Sequence, residues 1–216
     1  MEDIEIINLW KSYGRKLDES LLFNRKNAED LAKMKVRSLL SSMKPLKIFA
    51  ISVGIAWVGF VDFLIVKLFH IANPIFIGSA IIQAFLTQLA IVVYLYQLIL
   101  ISRADFDEPI LSTQNKLVRL KSSTLWVARL LFLQLPVWTT FYWNKSMLEN
   151  GNIVLWIIQI MVTLFFTLLA LWFFINIKFE NRDKKWFKLI FTGKEWSPVI
   201  RSMALLKEIE KFREFK

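Results

Sequence analysis

Four apolar stretches, each long enough to cross a lipid bilayer, restrict what this chain can fold into. A helix needs about 20 predominantly apolar residues to cross the hydrocarbon core. Such stretches occur at residues 47–69, 75–101, 124–143 and 152–177. The 216 residues are 56% hydrophobic with a mean hydropathy of +0.45, which is typical of integral membrane proteins. The sequence therefore predicts an all-α polytopic fold with four transmembrane helices and a transmembrane domain at 47–177.

The third stretch differs from the others because polar residues and a proline interrupt it. Arg129, Gln134 and Pro136 all lie between residues 124 and 143. Proline is tolerated in a membrane helix when neighbouring helices or side chains bind the backbone carbonyl that it leaves without a partner. We therefore expect the third transmembrane helix to be kinked.

Lysine and arginine are distributed unevenly between the connections. Short loops rich in these residues stay on the cytoplasmic side of a membrane. Residues 1–47 carry 10 of them, residues 102–123 carry 4 and residues 178–216 carry 11, whereas residues 70–74 carry none and residues 144–151 carry 1. This asymmetry predicts that both termini and the middle connection are cytoplasmic. It also explains the net charge of +10 without direct binding to nucleic acid.

Residues 1–46 are predicted to form a cytoplasmic amphipathic helix. Trp10, Tyr13, Leu17 and Leu21 recur at three- and four-residue spacings among acidic and basic residues. This spacing places them on one helical face, and such an apolar face has to be covered. Three coverings remain open at this point: other cytoplasmic parts of the chain, another protein, or the membrane surface. We take the four residues as a candidate partner-binding face.

Residues 178–216 are predicted to form two cytoplasmic helices. The first mixes aromatic and cationic side chains, a composition that favours the headgroup layer of a membrane with anionic lipids; its membrane-surface residues are Lys184, Lys185, Trp186, Phe187 and Lys188. The second begins at Ser197 and has an apolar face formed by Leu205, Leu206, Ile209 and Phe212. Because both terminal segments emerge on the same side, we expect them to pack together.

Polar side chains inside the spans are candidates for a function within the membrane, because they are costly in lipid and usually face the interior of the helix assembly. Counted at about 1.5 Å per residue, Asp62, Gln83 and Gln159 lie at similar depths. We predict that they form a buried polar layer. The layer either joins helices by hydrogen bonds, at roughly 1 kcal/mol per contact, or lines a path for ions or protons.

Small residues in the first two spans permit close approach of helices, either within one chain or between copies in a homo-oligomer. They are Gly54, Gly59, Gly78, Ser79 and Ala80. Composition alone does not distinguish the two cases.

The sequence offers no constellation for catalysis. It has no cysteine and one histidine, which excludes cysteine–zinc sites, thiol nucleophiles and histidine metal clusters. Gly193 and Lys194 lack the upstream glycine of a phosphate loop. We therefore predict no enzymatic activity, no catalytic residues, no metal site and no cofactor.

Aromatic and apolar residues between 7 and 143 form a recognisable pattern. It consists of Leu9, Trp10, Tyr13, Leu17, Asp18, Asn24, residues 35–40, Trp57 and the sequence LWVARLLFLQLPVW at 125–138. The pattern resembles a group of uncharacterised four-span bacterial inner-membrane proteins that are often encoded beside extracytoplasmic-function sigma factors. The resemblance implies location in the bacterial inner membrane and a role like that of a membrane-anchored sigma-factor regulator.

These observations favour a non-enzymatic, membrane-tethered regulatory protein that binds a cytoplasmic partner through its N-terminal helix. The resemblance implies a sigma factor as that partner, with the lipid bilayer as the other contact. The alternative is an oligomeric small channel, transporter subunit or membrane-perturbing effector. The first hypothesis requires residues 1–43 to bind the partner, whereas the second requires only the intact membrane domain.

Overall fold

The computed structural model of the chain describes the backbone of residues 2–103, 110–143, 153–191, 193 and 196–214. Side chains are described over residues 5–103, 112–143, 153–191, 193 and 196–207. The predicted outer turn at 144–151 and part of the middle connection lie outside these ranges. The same holds for the side chains of Ile209 and Phe212.

The described residues form helices and no strand, so the predicted all-α class is confirmed. The helices are α1 (Glu2–Ser41), α2 (Lys44–Leu68), α3 (Pro74–Ser102), α4 (Ile110–Leu133), α5 (Leu135–Thr140), α6 (Ile153–Asn176), α7 (Lys185–Phe191) and α8 (Ser197–Glu214), with a 3-10 helix at Phe179–Asn181. Three helical segments in this part of the chain are long and apolar enough to cross a membrane: Glu5–Leu68, Pro74–Ser102 and Ile153–Asn176.

The first of these segments joins α1 to α2 with almost no interruption. Met43 has right-handed helical dihedral angles, and its carbonyl accepts a bond of 3.2 Å from the Lys47 backbone N–H. Pro45 lies in the first turn of α2, where its missing N–H removes no helical hydrogen bond. At about 1.5 Å per residue, Glu5–Leu68 is roughly 95 Å long. The N-terminal segment is therefore an extension of the first span, and the predicted boundary at residue 46 falls inside α2.

α3 packs against α2 and also against α4 and α5. The contact with α2 is close, because a Cβ atom added to Gly54 would lie 3.0 Å from Cγ1 of Ile91. Val61, Ala80 and Ala84 form a small buried cluster between the same two helices. Gly54 and Ala80 therefore serve packing within one chain, whereas a Cβ atom on Gly59 would meet nothing within 4 Å.

The third predicted span, 124–143, is not one helix, and it is not among the three segments that are long and apolar enough to cross a membrane. α4 begins well before residue 124 and ends at Leu133, and α5 follows after a turn at Gln134. Pro136 explains the break, because it has no N–H for the carbonyl four residues earlier and its ring clashes with that carbonyl. The Gln134 N–H instead bonds the Leu131 carbonyl at 3.3 Å, three residues back.

α6 packs on α4 and α5 with little of its surface. Among its residues only Ala170 is buried, and large apolar side chains are exposed along its whole length. A helix that is apolar on every side is stable where lipid surrounds it. The predicted fourth span at 152–177 agrees with the bounds of this helix.

Two clusters of buried side chains occupy the end of the molecule where α1 meets α8. One joins α1, α4 and α8 through Val36, Leu40, Met43, Leu117, Leu120, Val199 and Leu206, together with Ile101 of α3. The other joins α4, α7 and the segment before α8 through Leu125, Ile177, Phe187, Phe191 and Trp196. The terminal helices thus pack together as expected.

Candidate functional site

The outer part of α1 has no packing partner in the described chain. Every side chain from residue 5 to residue 24 is exposed. Trp10 is 75% exposed, and Tyr13, Leu17 and Leu21 are each more than half exposed. The four predicted partner-binding residues thus form an open apolar stripe, which we call the α1 stripe. None of the other residues that the structure describes covers it.

The part of α1 that does pack uses a different face. Val36, Leu40 and Met43 are the buried side chains of α1 and the following turn, and they contact α8 and α4. At 3.6 residues per turn, the α1 stripe is displaced from this face by roughly a quarter of a turn. Among the described residues, covering by other parts of this chain, one of the three alternatives, therefore applies to the last turns of α1 and not to the stripe.

Two residues of the predicted polar layer, Gln83 and Gln159, each form a hydrogen bond to a neighbouring helix, and no contact joins them to each other among the described residues. Gln83 is buried and its Oε1 accepts a hydrogen bond of 3.2 Å from Nε1 of Trp57. Nε2 of Gln159 donates to the Thr139 carbonyl at 2.8 Å. Both bonds join two helices. They therefore favour the alternative in which these polar residues hold helices together over the alternative of a path for ions or protons.

Asp62 does not belong to this layer, so that part of the prediction is wrong. Its side chain is exposed on α2, while its neighbour Val61 is buried against α3. Each residue of a helix turns by about 100°, so residues at the right depth still point in different directions. Counting residues along the chain does not determine which face of α2 carries Asp62.

A longer series of polar contacts runs along α3, and sequence reasoning missed most of it. Oγ of Ser79 lies 2.8 Å from Oγ1 of Thr140, and Nε2 of Gln134 donates to Oγ1 of Thr87 at 3.2 Å. At one end Nδ2 of Asn73 donates to the Trp143 carbonyl at 3.0 Å. At the other end Nζ of Lys116 donates to the Arg103 carbonyl at 2.7 Å. We call these contacts the α3 seam.

Lys47 is a fully buried charged residue at the start of α2. Its side chain is 0% exposed, its Nζ donates to Oε1 of Gln97, and it lies 4.9 Å from the ring centroid of Tyr94. Gln83, Thr87, Tyr94 and Gln97 follow one another at intervals typical of a single helical face. That spacing was the signal available in the sequence, but it does not identify Lys47 as the partner.

The predicted membrane-surface group divides into two sets. Phe187 is only 1% exposed, stacks on Phe191 at 4.3 Å between centroids and contacts Trp196. It therefore belongs to the protein interior and not to the headgroup layer, because the side of α7 that carries it faces α4 and Trp196. Lys184, Lys185 and Lys188 are exposed. Trp186 is partly buried and packs on Trp172.

Leu189 is the apolar residue of α7 that remains open, at 85% exposed. The guanidinium of Arg129 binds the Ile177 carbonyl just after α6, with Nε at 3.0 Å and Nη2 at 2.7 Å. A cation at a helix C-terminus donates hydrogen bonds to carbonyls that have no partner within the helix, and it interacts favourably with the helix dipole. Arg129 thus anchors the end of α6 to α4.

No protein-family model, curated protein or solved structure matches this chain. The candidate function therefore depends on the surfaces themselves. Within the described ranges, no three His, Cys, Asp or Glu residues lie close enough to hold a metal ion. The features with functional potential are the α1 stripe, the α3 seam and the charged surface around α7.

Proposed function

We propose that the chain crosses the bacterial inner membrane four times, with α4 and α5 together forming the third crossing. The α3 seam supports this proposal, because its contacts extend from Arg103 to Asn73 and so run along nearly the whole of a helix that is long enough to span. The lysine and arginine distribution supports cytoplasmic termini. The broken helix is tolerated because it is held between α3 and α6.

The number of crossings can be tested by labelling single cysteines, since the chain has none of its own. The exposed residues Lys11, His70 and Lys207 are suitable positions. In spheroplasts, a membrane-impermeant maleimide is expected to label His70→Cys, and to label Lys11→Cys and Lys207→Cys only after permeabilisation. Labelling of Lys207→Cys but not Lys11→Cys in intact spheroplasts would mean an odd number of crossings and would contradict the proposal.

We propose that this membrane protein is a non-enzymatic tether that binds a soluble cytoplasmic protein through the α1 stripe. One observation supports this function above all: a helix anchored by α2 exposes Trp10, Tyr13, Leu17 and Leu21 on one face away from the rest of the chain. Helices that present apolar residues at three- and four-residue spacing dock into grooves of partner proteins. Large aromatic residues are the usual anchors of such interfaces.

The partner class follows from the resemblance described above, which implies a sigma factor. Binding at the α1 stripe would hold such a factor at the inner membrane surface and away from DNA. The joined helix of α1 and α2 supports this role, because a docked protein would be linked directly to a membrane span.

The docking proposal is tested by placing carboxylates on the stripe. The full-length chain, extracted from native membranes in mild detergent, is expected to capture a sigma factor. The Leu17→Glu/Leu21→Glu variant is expected to bind at least about tenfold more weakly, since a charge buried in an apolar interface is unfavourable. Glutamate favours helix, so α1 should keep its fold, which far-UV circular dichroism can verify.

The matched control is Leu22→Glu/Phe23→Glu. It removes the same number of exposed apolar residues, adds the same charge directly after Leu21 and lies off the stripe. It should bind like the unaltered chain. Equal weakening by both variants would contradict the assignment of the face, and so would capture of nothing but copies of the chain.

A second candidate function has one observation in its favour. Asp62 and Gln88 expose polar side chains from α2 and α3. An ionisable side chain that faces lipid is costly, which favours cover by another copy and hence an oligomeric channel, transporter subunit or membrane-perturbing effector. If the capture experiment recovers only copies of the chain, ion flux through the reconstituted oligomer becomes the decisive measurement.

A further inference from the structure

A cavity of about 330 Å³ opens beside the 3-10 helix, between α7 and the start of α8. Its apolar wall includes Phe187, Phe191 and Trp196 of the buried aromatic cluster. The remaining wall carries four charged side chains: Arg182, Asp183, Lys188 and Arg201. The volume lies at the lower end of the range of small-molecule sites, about 300–1,000 Å³. We call this space the α7–α8 cavity.

The described walls of the cavity carry three cations and one anion. The side chain of Asp183 is 79% exposed, and its Oδ2 lies 3.6 Å from Nε of Arg182. An exposed pair of this kind is weak, so Asp183 does not cancel the positive charge of the cavity.

A further cation, Lys121, lies close to Arg182 but does not line the cavity. Nζ of Lys121 lies 3.8 Å from the ring centroid of Phe179, and the guanidinium carbon of Arg182 lies 4.6 Å from the same centroid. Burial lowers the pKa of Lys121, and the charge of Arg182 lowers it further. Two cations held against one ring repel each other, so a bound anion would relieve this repulsion.

Arginine is suited to one kind of anion in particular. Its planar guanidinium binds two oxygens of a phosphate or carboxylate at once. Arg182 and Arg201 enter the cavity from different elements, and Ser197 lines it at the N-terminus of α8. The positive end of that helix dipole adds to the attraction of the cations.

We propose that the α7–α8 cavity binds a phosphate ester. Its surroundings favour the headgroup of an anionic phospholipid as the source of that group. The cavity lies just beyond the end of α6, and α7, which forms one of its walls, exposes Leu189. A helix with basic residues and an open apolar side chain rests in the headgroup layer. This site is separate from the α1 stripe and does not depend on partner docking.

The test uses the full-length chain, delipidated in neutral detergent, and native mass spectrometry. Phosphatidylglycerol, phosphatidic acid and phosphatidylcholine are titrated separately. The two anionic lipids are expected to bind more tightly than phosphatidylcholine. The Arg182→Gln/Arg201→Gln variant is expected to lose about tenfold or more in affinity for them, because it removes two positive charges near the surface together with their bidentate contacts to the phosphate.

The matched control is Lys184→Gln/Lys185→Gln, which removes two exposed charges from the same surface without altering the cavity wall. It should lose much less affinity than the arginine variant. Equal losses in the two variants would overturn the proposal and indicate attraction to the surface charge alone. Thermal unfolding by tryptophan fluorescence verifies the fold of each variant, and Arg201→Gln alone serves if the double variant does not fold.

A competition arm identifies the source of the phosphate. Glycerol 3-phosphate is added to the complex with phosphatidylglycerol. Weak competition is expected if the acyl chains and the membrane surface contribute to binding. Displacement at equal affinity, lost in the arginine variant, would support the phosphate site and overturn a lipid as its source. The result does not bear on the α1 stripe, whose test uses other residues and another readout.

Discussion

Replacing Phe187 with alanine is expected to lower the free energy of unfolding by about 3–5 kcal/mol, the range for deleting a buried phenylalanine. The side chain is 1% exposed and stacks on Phe191 with ring centroids 4.3 Å apart. Its ring also contacts Trp186 and Trp196, at 5.6 Å and 5.7 Å between centroids. The change therefore leaves a cavity at the point where α7 is held against α4 and the segment before α8.

The measurement is a titration with sodium dodecyl sulfate in mixed micelles, followed by tryptophan fluorescence. Leu189→Ala is the matched control, because it lies on the same short helix and its side chain is 85% exposed. A surface substitution of this kind changes stability by no more than about 0.5 kcal/mol. Similar effects of the two variants would contradict the burial of Phe187. They would instead favour the position at the membrane surface that the sequence predicts for this residue.

Much of the fold follows from the sequence where apolar runs have clear ends. α3 begins at Pro74 and ends at Ser102, and α6 covers Ile153–Asn176, close to the stretches predicted at 75–101 and 152–177. Uninterrupted apolar runs of bilayer length leave few alternatives. The prediction was weaker for 124–143, because a proline near the middle of a run allows either a kink or a break.

Other features were out of reach because they depend on direction and not on depth or composition. The predicted polar layer included Asp62, whose side chain is exposed. The bond between Lys47 and Gln97 joins residues 50 positions apart, and no local pattern connects them. Phe187 looked like an interfacial aromatic because lysines surround it in the sequence. Its burial depends on where α4 and Trp196 lie in space.

Gln97→Leu is expected to lower the free energy of unfolding by about 1.5–3 kcal/mol, the range for hydrogen bonds to charged groups. Gln97 supplies the amide oxygen that accepts a hydrogen bond from Nζ of Lys47, and both side chains are 0% exposed. A buried ammonium that loses an acceptor keeps its desolvation penalty. The contact ties the start of α2 to the last turns of α3, near the point where α1 continues into α2.

The reverse change, Lys47→Met, removes the charge but keeps an unbranched apolar side chain. This change removes the ammonium that donates to Oε1 of Gln97. Nε2 of the same Gln97 side chain already has no hydrogen-bond partner. We expect a loss of about 1–3 kcal/mol. The double variant Lys47→Met/Gln97→Leu replaces both polar groups with apolar ones, and such exchanges are often nearly neutral.

The three variants form a double-mutant cycle, measured by the same titration in mixed micelles. The double variant should be more stable than the sum of the two single losses predicts, with a coupling energy between about 0.5 and 3 kcal/mol for residues in contact. Strictly additive losses would mean that the two side chains do not interact. Lys47 would then extend its ammonium to the membrane interface, as lysines near helix ends commonly do. In that case the C-terminal end of α1 would be held in place by the apolar contacts of Val36, Leu40 and Met43 with α4 and α8.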